Sequence, residues 1–341
     1  MKISADNEKT LVKEILTKLG INEEQSNIVS DVVLDADLKG FTSHGIGRFP
    51  QYIKSIESNN IQLQGDIEVV KETESVGIIN GNSLFGQVVA YKAMELAIKK
   101  AKKTGIGAVG THNGNHFGAT GFYSDLAIKN GLIGIVIANT EPAIAPLGGT
   151  KALIGTNPIA IGIPSDTYIA TDMATSASAR GKLLEAKRKG EEIPPNIALD
   201  SEGNPTTDPN EALKGSILAF GSHKGYALAF MIELLTGPLV GAACGEEVTG
   251  TANPDVNCTK GDLFVAIDPE QFVGREAFKK QTEGFIEEVR ANGNGFVPGD
   301  IEVKRINDNK INGLTMDETL YEQLKEICEE LDIEIDSYIT E

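Results

Sequence analysis

The sequence predicts an α/β protein in which a sheet domain over residues 67–299 is packed with a helical layer built from residues 1–66 and 300–341. Three observations carry this reading. From Ile67 onward, short strand-like runs alternate with helical stretches, the rhythm of an α/β domain. Residues 132–138, Leu-Ile-Gly-Ile-Val-Ile-Ala, are apolar on both faces, which puts them in the interior of a sheet. Both ends of the chain show helical periodicity, with Leu11, Val12, Ile15, Leu16 and Leu19 on one face and Leu320, Leu324, Ile327 and Leu331 on another.

The elements follow in order. Asp6 precedes the first helix, and Gly20 closes it with a left-handed residue. Asn22, with Gln25 three residues on, starts a second helix in the manner of a capping box; this helix carries Ile28, Val29, Val32, Val33 and Ala36, and Gly40 stops it. Phe49, Tyr52, Ile53 and Ile56 space a short third helix, with Pro50 tolerated in its first turn. Strands are expected over 76–80, 106–111, 132–138, 159–163, 168–171 and 263–267, and helices over 86–103, 117–130, 176–189, 275–290 and 317–331. Residues 190–215 shift to Pro, Asn, Asp and Thr, the mark of a long surface excursion. The longest apolar run, residues 227–244, is interrupted by Glu233, Gly237, Pro238 and Gly241, so it reads as a buried helix that ends and not as a membrane span.

Composition narrows the partners. A net charge of −18 and a pI near 4.7 repel phosphate backbones and anionic lipid, which argues against nucleic-acid and membrane partners and requires a locally positive pocket for any anionic substrate. Cys244, Cys258 and Cys328 are odd in number and widely spaced, signalling neither a disulfide framework nor a zinc knuckle. With no apolar run after Met1, a reducing cytoplasm is the expected setting.

Chemistry concentrates first in residues 40–48, Gly-Phe-Thr-Ser-His-Gly-Ile-Gly-Arg. His44 can exchange a proton near neutral pH, Arg48 can hold a carboxylate, and Gly40, Gly45 and Gly47 let a ligand approach; a helix connection with a surface histidine fits the same letters. Residues 105–110 match G-x-G-x-x-G, but a helix precedes them and a strand follows. That order is the reverse of the one that sets a pyrophosphate on a helix N-terminus, so Gly105 is read as a helix cap. His112 and His116 have the spacing of helical zinc ligands, yet Asn113-Gly114-Asn115 between them is a turn, so no metal is assigned. A ligand loop at the end of a strand is the functional reading of His116, and a surface loop the plain one. Ser43 is one residue out of register for a nucleophile elbow and follows a helix, which disfavours a hydrolase built on Ser43 and His44. Gly181-Lys182 lacks the rest of a P-loop.

Five short motifs occur in order along the chain: Ser43-His44-Gly45-x-x-Arg48, Asn115-His116-Phe117-Gly118, Gly155-Thr156-Asn157-Pro158, Asp172-Met173-Ala174-Thr175 and His223-Lys224-Gly225-Tyr226. Together they resemble the malate/L-lactate/sulfolactate dehydrogenase family, whose nicotinamide-binding fold is not a Rossmann fold; residues 36–48 are most similar to the archaeal L-sulfolactate/malate dehydrogenases. The resemblance implies NAD or NADP as cofactor, a small anionic 2-oxo or 2-hydroxy acid as substrate (oxaloacetate/malate or sulfopyruvate/sulfolactate), and a homodimer with sites near the subunit contact. Other members of the family reduce cyclic imines or 2,3-diketogulonate, or oxidise ureidoglycolate, so imine and ureidoglycolate chemistry stay open. By resemblance His44 is the general acid, Ser43 orients it, Arg48 clamps the substrate carboxylate and Thr156 hydrogen-bonds substrate, with His116 a competing acid or base. The cofactor is implied along His116, Phe117, Gly118 and Ala119, along Asp172, Met173 and Ala174, at Arg180 and Gly181, at Lys224 and Gly225, and at Pro298, Gly299 and Asp300.

The chemistry makes matching demands. Reducing a 2-oxo acid needs a hydride on carbon and a proton on oxygen, and a positioned acid contributes roughly 10²–10⁴ in rate. The planar fork of an arginine suits two carboxylate oxygens better than a lysine does. A solvated helix-start lysine, a helix cap and an exposed helix charge remain the plain readings of Lys224, Asp172 and Arg180.

Overall fold

The computed structural model describes residues 1–293 and 295–340. The chain opens with β1 (Lys2–Ile3) and the helices α1 (Ala5–Lys18), α2 (Glu23–Leu38) and α3 (Phe49–Glu57). It continues through β2 (Glu68–Glu72), β3 (Val76–Asn80), α4 (Gly86–Thr104), β4 (Ile106–His112), α5 (Gly121–Lys129), β5 (Ile133–Ala138), β6 (Ile159–Ile163) and β7 (Ile169–Met173). A lobe of α6 (Arg180–Lys189), β8 (Ala198–Leu199), α7 (Pro209–Lys214) and β9 (Ser216–Ile217) leads into α8 (His223–Thr236). The last elements are β10 (Asp262–Ile267), α9 (Arg275–Ala291), α10 (Asp300–Asn312), β11 (Leu314–Thr315), α11 (Glu318–Glu330) and β12 (Ile339–Thr340).

Seven strands form one sheet in the order β2-β3-β4-β10-β5-β6-β7. Only β3 and β4 run parallel; the other neighbours are antiparallel. The late strand β10 is wedged between β4 and β5, so that Asp262 lies between Thr111 and Ala138. The doubly apolar β5 is interior, with β10 on one side and β6 on the other, which is why it needs no polar face.

Two large cores meet across α2. Its Val29 and Val33 pack with Leu11, Ile15 and Leu16 of α1, Phe49 of α3 and Leu324 and Ile327 of α11. Its Val32 belongs to the sheet core with Val89, Phe117, Tyr123 and Phe264. A helix pressed between two layers must be apolar on two faces, and burying each such valine contributes about 1.5–3 kcal/mol. Strand β1 pairs with both β11 and β12 and so ties the chain's two ends into this helical layer.

Several elements differ from expectation for identifiable reasons. The N-cap of α1 is Ser4, whose Oγ accepts from the Asn7 amide at 3.1 Å, while Asp6 lies in the first turn. Helix α5 starts at Gly121 because Gly118 takes φ +81°, a left-handed conformation that a helix cannot include. Helix α6 starts at Arg180 because the preceding backbone is already committed: Ser176 bridges Ala219, and Thr175 N–H donates to Thr156 O at 2.8 Å. The excursion at 190–215 encloses its own small core of Leu183, Ile193, Ala198, Ala212 and Ile217. Strand β2 and helix α10 have no buried residue and hence no apolar rhythm to announce them. Helix α8 is buried on one face only, through Ala229, Ile232, Glu233 and Thr236, and not all round as expected: Phe230 and Met231 are 42% and 57% exposed, and Leu234 and Leu235 are exposed beside them. An all-apolar helix looks the same in sequence whether its outer face meets a core or another surface.

Candidate active site

The connector from Gly40 to Arg48 is braced from behind. At the end of α2, Asn309 Nδ2 donates to the carbonyls of Asp37 and Leu38 at 3.1 and 3.0 Å, and Arg305 donates to Lys39 O at 3.4 Å. Carbonyls orphaned by the helix end are thereby satisfied by α10. Gly40, at φ +81°, then reverses the chain, and the amides of Phe41 and His44 bond back to Ala36 O and Phe41 O at 2.8 Å each. A short 3-10 turn, Ile46–Arg48, delivers the arginine.

Two histidines face each other on this floor. The His44 and His116 rings have centroids 5.5 Å apart, although 72 residues separate them in sequence. Ser43 Oγ lies 2.9 Å from His44 Nδ1 and is exposed to solvent. His116 Nδ1 is 2.8 Å from the Tyr52 hydroxyl and accepts from the Gly118 amide at 3.3 Å. An amide N–H can only donate, so Nδ1 is unprotonated, Tyr52 donates as well, and the neutral His116 ring carries its proton on Nε2. Tyr52 is 1% exposed, edge-on to Phe49 and Phe85, and burial pushes its hydroxyl pKa upward, so it stays a donor. Burial, and then the Arg48 charge, hold His44 below the usual imidazole range at about 4. The same two influences, with His44 and Lys260 added, hold His116 well below its ordinary value. Both rings are therefore neutral at neutral pH.

Arg48 is the cation of the site. One guanidinium nitrogen donates to Thr251 O, whereas Nε is buried with no partner among the described residues. An unsatisfied buried donor beside two neutral imidazoles fits an arriving anion. Thr251 Oγ1 accepts from the Glu141 amide at 3.2 Å, and next to it Thr140 Oγ1 accepts from Thr156 N at 2.9 Å. Thr156 is thus joined to Arg48 through Thr140, Glu141 and Thr251, not by direct contact. On the other side, Lys260 pairs with Asp262, lies 4.1 Å over the Phe117 ring and is 2% exposed; Asp262 also accepts from Thr111 Oγ1 at 2.8 Å.

The remaining expected residues fall into two groups. Phe117, Gly118 and Ala119 continue from His116 to α5, whose Gly121 amide donates to Asp172 Oδ2 at 2.6 Å; burial pushes Asp172 up to about 6. Met173 ends β7 and Ala174 follows it, and the Pro298–Gly299–Asp300 turn adjoins the same strand through Ala170 N–H to Pro298 O at 3.2 Å. Asp300 caps its own turn at Val297 N and pairs with Arg290 at 2.9 Å. Arg180 and Gly181 open α6, while Lys224 and Gly225 open α8. No hydrogen bond joins either pair to the histidines among the described residues, but Thr175, bonded to Thr156 O and Phe220 N, connects their neighbourhoods. Tyr52, Thr251, Lys260 and Asp262 carry no motif. Their only sequence signals are a hydroxyl on the apolar face of α3 and two charges opening an apolar strand.

Known proteins resemble this chain over nearly its whole length. A family model for malate/L-lactate dehydrogenases matches residues 3–325. The chain is 60% identical to an L-sulfolactate dehydrogenase of Methanothermobacter thermautotrophicus, over 98% of this chain and 99% of that one. It is 58% identical, over the same shares, to a malate/(S)-sulfolactate dehydrogenase of Methanothermus fervidus. The solved sulfolactate dehydrogenase of Methanocaldococcus jannaschii superposes with a TM-score of 0.96 at 50% identity, covering 100% of both chains. Agreement in sequence and fold over the whole length makes this chain an enzyme of the malate/L-lactate dehydrogenase family.

Proposed function

We propose that this enzyme interconverts a 2-oxo acid bearing a second anionic group, sulfopyruvate or oxaloacetate, with its 2-hydroxy acid, using NAD(H) or NADP(H). The substrates named for the relatives support this choice, and the observation that carries the mechanism is the neutral histidine pair beside the half-satisfied Arg48. Imine and ureidoglycolate substrates, or hydrolysis by Ser43 and His44, are not favoured by the same relatives.

A nicotinamide cofactor fits the chain. In a protein of net charge −18, Arg180 and Lys224 stand at the N-termini of α6 and α8 with no ion-pair partner among the described residues, as a pyrophosphate requires. The buried Ser176 hydroxyl, four residues before Arg180 on the segment that bridges Ala219 ahead of α8, is likewise unpartnered among the described residues. His116 to Ala119, Asp172 to Ala174, Gly181, Gly225 and the Pro298–Gly299–Asp300 turn would complete the cofactor side. When bound, the reduced nicotinamide supplies the hydride.

The chain's own residues do the rest. Arg48 binds the substrate carboxylate with its fork, which fixes the carbonyl face. Thr156 holds the far side of the substrate. The anion offsets the Arg48 charge, which after burial is the second cause depressing His44, so the His44 pKa rises and the share of rings carrying a proton grows as substrate binds. His44 then donates that proton to the carbonyl oxygen, and Ser43, exposed and bonded to Nδ1, connects the ring to solvent for the next cycle. His116 has no such route, because Tyr52 and the Gly118 amide occupy its Nδ1; it holds the oxygen as a neutral Nε2–H donor. The exposed apolar face of α8 supports a homodimer. Three unpaired cysteines suit a cytoplasmic enzyme.

The test is a reductase assay with NADH and NADPH against sulfopyruvate, oxaloacetate, pyruvate and 2-oxoglutarate. Turnover of the first two above pyruvate supports the reading. Oxidation of neither cofactor by any of the four would end it.

A further inference from the structure

The wall behind residues 40–48 contains two acids that the chemistry above does not use. Asp37, in the last turn of α2, is 6% exposed, and Glu8, in the first turn of α1, is 1% exposed. Neither Glu8 oxygen has a hydrogen-bond partner among the described residues, and burial together with the neighbouring Asp37 carboxyl pushes the Glu8 pKa well up. Two carboxylates cannot both stay charged in that setting, so the pair holds a proton between them. An acid near a helix C-terminus is also opposed by the helix dipole, so this location calls for a compensating role. Asp37 Oδ2 accepts from the Ile46 amide at 2.6 Å, the first residue of the turn that carries Arg48. Gly45 lies flat on the same carboxyl group: a Cβ there would fall 1.9, 2.0 and 2.2 Å from its three atoms.

We infer that Asp37, held in place by Glu8, is a positioning residue for the reaction: it anchors Ile46 N–H and seats Gly45 so that Arg48 and His44 point together into the cleft. Burial and the Asp37 charge keep Glu8 protonated, which leaves Asp37 the acceptor of the pair, and Asp37 accepts from the connector. The chain thus spends a buried acid pair on the backbone between its catalytic histidine and its arginine. A glycine at position 45 is required by contact with the Asp37 carboxyl, not by a left-handed backbone, since its φ is −88°.

This inference rests on the roles proposed for His44 and Arg48, and the experiment separates the two. In the full-length enzyme, Asp37→Ala is compared with Asp37→Asn, whose amide oxygen can still accept from Ile46. The readouts are kcat and KM for the 2-oxo acid and the dissociation constant of reduced cofactor by fluorescence. Asp37→Ala should lower kcat/KM by about tenfold or more while cofactor binding changes less than about twofold, and Asp37→Asn should recover most of the loss. In an Arg48→Lys background, Asp37→Ala should add little, because both changes act on the same cation. Gly45→Ala is read alongside, since it lifts the connector off Asp37 and leaves the acid pair intact; it should reproduce the kcat/KM loss even if Asp37→Ala fails to fold. Wild-type kcat/KM in Gly45→Ala, or losses that multiply independently with Arg48→Lys, would overturn the assignment. If Arg48→Lys is itself silent, the proposed site is wrong and not merely its anchor.

Discussion

Removing the Arg48 charge should have two separable consequences. Arg48→Met keeps the length and apolar stem of a side chain whose head bonds Thr251 O and leaves Nε unsatisfied. Truncating one partner of a desolvated charge pair costs about 2–5 kcal/mol, so kcat/KM for the 2-oxo acid should fall by roughly thirtyfold to several thousandfold. The second consequence concerns the substrate-free enzyme. Arg48 follows burial as a cause of the depressed His44 and His116 values, so both imidazoles should titrate at higher pH in the variant. His44 should rise from about 4 but stay under 6.5, because burial, the larger cause, persists. Steady-state kinetics reads the first effect and imidazole NMR titration the second. A variant within threefold of wild type in kcat/KM, or one whose His44 titration is unmoved, refutes the placing of Arg48 as both clamp and electrostatic governor.

Tyr52→Phe removes the hydroxyl at His116 Nδ1 without disturbing the ring packing, and kcat should drop by about fivefold to tenfold with cofactor affinity unchanged; an unaltered kcat would deny His116 its fixed tautomer. Asn115→Ala strips one amide that serves the carbonyls of Asn60, Ser83 and Leu84, and should cost about 1–3 kcal/mol by urea unfolding, in line with leaving buried acceptors unpaired. pH should act in opposite directions on the two buried titrating pairs. The depressed histidines bind fewer protons folded than unfolded, so their contribution is complete above pH 6.5 and is lost as pH falls toward 4; His44→Gln should make that acid slope shallower. The raised Glu8–Asp37 pair binds more protons folded, so its contribution is present at low pH and is lost as pH rises through about 7, and Glu8→Gln should flatten that limb. Unfolding midpoints showing both variants parallel to wild type would contradict both assignments.

The framework was legible where periodicity and caps agree. The second helix, with its Asn22 cap, and the fully apolar strand ending at Ala138 lie within a residue or two of where the letters put them. The connector at Gly40 to Arg48 was also visible, because a histidine, an arginine and three glycines fall within nine residues. What brings His116 to it was not. That depends on β10 inserting between β4 and β5 and on α2 being shared by two cores, arrangements set by contacts between distant segments. Lys260, Asp37 and Glu8 were hidden for a related reason, since one lysine or acid reads as a solvated residue until the packing shows it buried, whereas Tyr52 was legible as an apolar-face residue but not as a partner of His116. Helix α8 failed in the other direction, as apolar composition fixes that a face must be covered without saying by what.

The account turns on His44 supplying the proton while His116 only holds the oxygen. Single-turnover reduction of sulfopyruvate, with reduced cofactor bound at saturation, tests that division in the His44→Gln and His116→Gln enzymes. The account predicts that His44→Gln slows the chemical step by about a hundredfold or more, and that His116→Gln slows it by a smaller factor. A His116→Gln enzyme that loses the step while His44→Gln retains it would exchange the two roles and contradict the mechanism.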